Sequence, residues 1–273
     1  MIDEAATTID GTPITALQAR WQVPRVEAWT VVGSTMELAH AAARAGAPSG
    51  TVVVADQQTA GRGRNGRRWE SPPGGAWCSM LFRRSIEQPF TGETLAVLTV
   101  RIGLMLAAAI DRRISPPEDS MVTLKWPNDL LLGGAKVGGI LTDARWDRGQ
   151  LDWLVIGVGL NRSIPALTGT DASRAVAALP ATIARLEVLG LIVAAGSEAV
   201  HHHGLLTADE LEAFGRRDAL AGQSVAGPVA GRAMGIRPDG GLRIATPTGE
   251  TVVVRSGAVD LALDAIRGET PPG

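Results

Sequence analysis

The run Gly61-Arg-Gly-Arg-Asn-Gly-Arg-Arg68 constrains this chain more than any other stretch. Four guanidiniums (Arg62, Arg64, Arg67, Arg68) are interleaved with three glycines (Gly61, Gly63, Gly66), and Trp69 follows directly. Like charges this close repel one another unless an anion lies across them, while the glycines let the backbone approach that anion and donate N–H groups to it. The segment reads as an anion-gripping loop. It is not a P-loop, for it lacks Gly-x-x-x-x-Gly-Lys-Ser/Thr. Gly-x-Gly-x-x-Gly does fit Gly61 to Gly66, but Arg and Trp stand where a dinucleotide fold would open a helix. Taken alone, the run suits a nucleic-acid loop as well as a ligand loop.

The neighbouring sequence and the composition narrow the choice. At 273 residues and 45% hydrophobic, the chain can build one large domain and a small one. A formal net charge of −2 argues against a general binder of nucleic acid or anionic membrane, so the arginine run is a local positive island. Single-stranded RNA binding also wants several exposed aromatics, and this chain has no Tyr and three Phe. The acidic, polar start lacks the pattern of a secretory signal, and no uncharged apolar run reaches the ~18 residues of a membrane span. A single Cys78 excludes an internal disulfide and fits a reducing cytoplasm; beside Trp77 it reads as a small buried hydrophobe.

In chain order, residues 1–20 read as a flexible lead-in. A first strand is expected over Arg25–Val32, then a helix from Ser34 to Gly46, with Ser34 and Glu37 in a capping box. Thr51–Ala55 is a β-branched run that reads as a buried strand leading into the arginine loop. Ala76–Phe82 is a further strand, and the spacing of 95, 98, 102, 105, 106 and 109 predicts a core helix over Glu93–Arg113. Met121–Lys125 reads as a strand ended by Pro127, with Asn128 and Asp129 in a turn. Leu130–Leu132 and Lys136–Ala144 form a hairpin-like pair, and Leu151–Leu160 a buried strand. Helices are expected over 175–190 and 207–219. The consecutive His201, His202 and His203 read as a solvated turn, because neighbouring side chains do not converge on a metal. Beyond Gly222, short β runs and tight turns suggest a small all-β barrel. The domain reading is therefore 21–219 for the main α+β domain, 220–265 for the barrel and 266–273 for a disordered tail.

Gly33-Ser-Thr35, Gln58, the arginine loop with Trp69, Lys125-Trp-Pro-Asn-Asp129, Lys136-Val-Gly-Gly-Ile-Leu141 and Gly157-Val-Gly-Leu-Asn161 together resemble the biotin protein ligases. The resemblance implies a catalytic domain with a mixed sheet like that of class II aminoacyl-tRNA synthetases, followed by a small SH3-like domain. It also implies ATP and Mg²⁺ as cofactors, adenylation of the biotin carboxylate, and transfer of biotin to a lysine of a biotin carboxyl carrier protein domain. Carried over residue by residue, Ser34, Thr35, Gln58, Arg62, Gly63, Arg64, Lys136, Gly139 and Gly157 are expected around biotin. Arg67, Trp69, Asn128, Lys136 and Asn161 are expected around ATP. Lys136, Arg64 and Arg62 are the expected catalytic residues, and Asp129 the expected Mg²⁺ contact.

The chemistry accords with these residues. Joining a carboxylate to an α-phosphate brings two anions together and demands fixed positive charge, which Lys136 and the loop supply. The mixed anhydride must then be kept from water, a task for a glycine-rich lid. Met36 stands where the resembled family reads Asn, replacing a polar contact with a thioether. Too few residues precede Ser34 for the DNA-binding domain of the family's repressor members, so no sequence-specific DNA binding is expected. No membrane association is expected either, and a sheet edge offers a route to a homodimer. Two other readings stay open: a lipoate or octanoate ligase of the same superfamily, and a biotin-binding protein without catalysis.

Overall fold

The computed structural model describes residues 5–83, 92–163 and 176–261. The chain opens with β1 (Ala5–Ala6), a ribbon of β2 (Thr8–Ile9) and β3 (Thr12–Pro13), and α1 (Ile14–Trp21). The expected flexible lead-in is therefore overturned. β1 pairs with the first long strand, and Leu17 of α1 is fully buried, so apolar anchors scattered singly tie down a segment with no obvious periodicity.

There follow β4 (Arg25–Val32), α2 (Thr35–Arg44), β5 (Thr51–Gln58), β6 (Ala76–Arg83), α3 (Gly92–Ile114), β7 (Thr123–Lys125), β8 (Asp129–Leu132), β9 (Ala135–Asp147) and β10 (Gln150–Leu160). These build an eight-stranded sheet in the order β1-β4-β5-β6-β10-β9-β8-β7, in which β4 and β5 run parallel and the other named pairs antiparallel. The architecture is mixed α+β. Thr51–Ala55 is buried throughout because β5 lies inside the sheet with both faces covered, as a continuous apolar run requires.

Strand alternation divides the core in two. Val52, Val54, Cys78, Met80, Leu154 and Ile156 point to the face covered by α1, α3 and α4 (Arg185–Ala199). Val53, Leu81 and Val155 point to the other face, where Met36, Ala39 and Ala43 of α2 cover them. Helix α3 is long and apolar enough to cross a bilayer, yet Val97, Leu98, Ile102, Leu106 and Ile110 are buried in the core. Close packing of α4 on β6 needs Gly196, where a Cβ would stand 2.3 Å from the Met80 methyl carbon.

The helix expected over 175–190 is not formed as read. Residues 164–175 lie outside the described residues, and α4 begins only at Arg185. Alanine content suggested helix there, but Pro180 interrupts it and the buried Arg185 sets the start. The second helix, α5 (Ala208–Arg217), carries a genuine capping box between Thr207 and Glu210. Among the described residues no acidic, His and Cys cluster could hold a metal, and His202 pairs with Glu198 at 3.0 Å.

The C-terminal strands β11 (Ser224–Ala226), β12 (Gly231–Ile236), β13 (Leu242–Ala245), β14 (Thr251–Val254) and β15 (Asp260–Leu261) form a five-stranded antiparallel sheet. It is joined to the main domain by Trp126 Nε1 donating to the Gly240 carbonyl at 2.8 Å and by Lys125–Asp260 at 2.8 Å. The expected tail 266–273 lies outside the described residues.

Candidate active site

Beyond Val155, β10 continues on the α2 face with Gly157 and Gly159, and β9 presents Leu141 and Gly139 beside them. Side chains that would fill this face are thus missing just where α2 ends over the sheet. The result is a cavity of about 340 Å³ floored by glycines and lined by all fourteen residues singled out in the sequence. Six cations and three carboxylates line it, so the cavity is positive on a slightly acidic protein.

Its polar end is built on the N-terminus of α2. Gln58 Oε1 accepts from the Thr35 amide at 2.8 Å and from Thr35 Oγ1 at 3.1 Å, while Gln58 Nε2 donates to Ser71 Oγ at 2.8 Å. Thr35 Oγ1 also lies 2.8 Å from Ser79 Oγ. Ser34 occupies the N-cap position but makes no side-chain cap, which overturns the capping box read between Ser34 and Glu37. Its Oγ is buried without a hydrogen-bond partner. A buried hydroxyl left so costs about 1–3 kcal/mol, and the residue that carries it lines the cavity.

At the other end Lys136 Nζ stands 2.7 Å from Asp129 Oδ1 and 4.8 Å from the centroid of Trp69. The cis Trp126–Pro127 bond ends β7 and turns the chain so that Asn128 and Asp129 face β9. Asn128 Nδ2 donates to the Ile140 carbonyl at 3.0 Å, and its Oδ1 receives Arg64 Nη1 at 3.4 Å. Burial pulls the Arg64 guanidinium below its ordinary pKa, and Asp129 pushes the other way. Asn161, almost fully buried, donates to the carbonyls of Ala177 and Lys136, while its Oδ1 has no partner. Trp69 Nε1 is likewise buried and unpaired. The three residues that carry these orphaned atoms all line the cavity.

Gly63 N donates to Arg67 O and Trp69 N to Gly61 O, both at 2.8 Å, closing a small hairpin with a 3₁₀ turn at Arg64–Gly66. Arg62 turns to Glu37 at 2.7 Å, and Arg67 is exposed at the rim. The floor glycines also leave room for side chains of the protein itself. A Cβ on Gly157 would stand 2.8 Å from Met36 Sδ, one on Gly159 2.8 Å from Trp69 Nε1, and one on Gly139 3.4 Å from the Trp69 ring. They seat the protein's own Met36 and Trp69. Asp129, expected on a metal, is engaged by Lys136.

Sequence reading missed Ser79, Lys125, Trp126 and the C-terminal Val259, Asp260 and Leu261, which also line the cavity. Ser79 was legible by register, since it pairs with Gly157. The C-terminal residues approach only through the tertiary contacts of β15. Cys78, burial raising its thiol to about 12, is chemically quiet, as its position beside Trp77 suggested.

The mixed sheet thus carries a cationic cavity with glycines on its floor and an arginine loop at its flank. Residues 29–161 match the model of the biotin/lipoate A/B protein ligase family. Over 132 residues it is 39% identical to the bifunctional ligase/repressor BirA of Bacillus subtilis, which covers 48% of this chain and 38% of the relative. Against the biotin–[acetyl-CoA-carboxylase] ligase of Mycobacterium tuberculosis it is 35% identical over 131 residues, 47% of this chain and 46% of that one. The matches to these curated relatives thus span less than half of their length. The biotin protein ligase of Aquifex aeolicus in complex with biotin and ATP superimposes with a TM-score of 0.69 at 26% identity, covering 88% of this chain and 99% of that one.

Proposed function

We propose that the chain is an ATP-dependent biotin protein ligase. The biotin carboxylate attacks the α-phosphate of ATP, an O–P bond forms, the Pα–O–Pβ bond breaks and pyrophosphate leaves. The amine of a lysine on a biotin carboxyl carrier protein domain then attacks the acyl carbon of biotinyl-AMP, giving an amide and releasing AMP. The observation that carries this reading is the placing of Lys136 at one end of a cavity whose other end holds the unpaired Ser34 Oγ. A carboxylate at the cation and a hydrogen-bonding head at Ser34, Thr35 and Gln58 fit a ureido-bearing acid better than a bare alkyl chain.

Lys136, moving from Asp129 to the reacting anions, offsets charge where carboxylate and α-phosphate meet. Arg64 holds the product acyl phosphate, and Arg62 and Gly63 close the loop over it. Trp69, Asn128, Asn161 and Arg67 border the nucleotide. Mg²⁺, entering with the phosphates as that ion commonly does, would find one carboxylate at Asp129 and would supply charge neutralisation. On the same reading the mixed sheet is of the class II aminoacyl-tRNA synthetase type, and the C-terminal five-stranded sheet is SH3-like. The family description also names lipoate, so the second reading is a lipoate or octanoate ligase. Pyrophosphate release from ATP and Mg²⁺ with biotin, lipoate and octanoate offered separately decides between them. Release with biotin is expected, and release with the fatty acids alone would overturn the proposal.

A further inference from the structure

We propose that Glu37 and Asp143 form a carboxylate dock for Arg62 that holds the arginine loop over the cavity, with His40 and Trp153 fixing Asp143. The consequence for ligand retention rests on the ligase reading; the dock itself rests on geometry. Arg62 Nη1 lies 2.7 Å from Glu37 Oε1 and 3.5 Å from Asp143 Oδ2. These carboxylates belong to different elements, Glu37 to the first turn of α2 and Asp143 to β9. One loop side chain is thereby tied to both walls of the cavity.

His40 stands behind them, one turn along α2, its side chain 12% exposed. Trp153 Nε1 donates to His40 Nδ1 at 2.9 Å, so that nitrogen carries no proton and the neutral ring has its proton on Nε2. Nε2 lies 3.3 Å from Asp143 Oδ2. The ring thus stands against one side of the carboxylate, close but without an aligned hydrogen bond, while Arg62 approaches from the other. In keeping with this, the Asp143 carboxyl is held below its ordinary pKa, first by the neighbouring His40 and then, against opposing burial, by the Arg62 charge. Arg68, by contrast, pairs inside the loop with Glu70 at 3.5 Å. None of Glu37, His40, Asp143 and Trp153 lines the cavity, so they are positioning residues that act on a ligand through the loop.

The test has two arms on the full chain, with Asp143→Asn, Glu37→Gln and the double variant, and with Asp143→Glu keeping the charge. Amide hydrogen exchange is followed at Gly63 and Trp69, whose N–H groups close the loop hairpin, with β10 amides as the reference. Stopped-flow dissociation of biotin in the presence of ATP is the second arm. The double variant is expected to exchange about three- to fivefold faster in the loop, the size that exposed ion pairs can supply. Biotin should leave faster by a similar factor at an unchanged association rate, and Asp143→Glu should recover most of both. Unchanged loop exchange in the double variant overturns the dock. Faster exchange with unaltered dissociation overturns its part in retention. A wild-type protein that binds no biotin would sink the ligase reading, and the exchange arm would still decide the dock.

Discussion

Two sets of arginines divide this molecule. Arg101 of α3 and Arg185 at the start of α4 are buried and heavily engaged. Arg101 grips Glu210 and the carbonyls of His202, Gly204 and Leu205, and Arg185 grips Asp10, Asp56 and the carbonyls of Gly75 and Ala55. In the loop, Arg64 makes one long bond to Asn128, while Arg67 and Arg68 lie exposed. A guanidinium has five N–H donors in a fixed fork. Where nearly all are used inside the protein it fastens elements together, and where most are left over it can take an incoming phosphate or carboxylate. The number of donors left over, rather than residue type or charge, separates architecture from recognition.

The comparison breaks first at Arg185. Arg185→Met leaves Asp10 and Asp56 without their cation and two carbonyls without a donor, and losing one partner of a buried pair costs about 3–5 kcal/mol. Both carboxylates are partly exposed, so a loss near about 3 kcal/mol is expected, a fall in Tm of roughly 6–12 °C. Thermal unfolding checks it, and a fall within about 2 °C, worth 1 kcal/mol or less, would remove Arg185 from the architectural set. On the recognition side, Lys136→Ala should slow pyrophosphate release about 10²- to 10³-fold, as loss of a preorganised charge at a reacting oxyanion does, with Tm nearly unchanged. A collapse in Tm would place Lys136 among the fasteners instead.

How much of this could be read beforehand follows the same division. β5, β6, α3 and β10 were legible because burial on one or both faces writes itself into apolar runs and spacing. The fourteen residues singled out lie in separated blocks of sequence, and the fold brings them to one cavity. What stayed hidden depends on contacts far along the chain. Arg185 meets Asp10 across 175 residues, and Lys125 meets Asp260 across 135. No local pattern announces either. Ser34 misled for the opposite reason: Ser-x-x-Glu is a sound local signal, but here Glu37 is drawn away to Arg62 and the hydroxyl is left buried without a partner.

Ser34→Ala sharpens the comparison at smaller scale. The hydroxyl has no partner within the protein, so its removal should leave Tm unchanged or slightly raised. Biotin affinity should fall about fivefold, the worth of one hydrogen bond of about 1 kcal/mol. Calorimetry reads both, and a loss of Tm without loss of affinity would make Ser34 structural after all.

The smallest effect expected is the pH response of the loop. Asp143 has its folded-state pKa depressed, chiefly by His40 and further by Arg62. Ionised Asp143 therefore stabilises the docked loop above the unfolded carboxylate pKa, and that contribution is lost as pH falls through the lower folded value. Loop exchange at Gly63 and Trp69, corrected for intrinsic rates, should rise as pH falls through the lowered carboxylate range of Asp143. Asp143→Asn should show raised exchange throughout and a weaker acid rise, leaving Glu37 to account for what remains. An identical acid rise in both proteins, with β10 amides still protected, would mean that Asp143 carries none of the loop's charge dependence. Arg62 would then belong with Arg67 as a free hand rather than a fastened one.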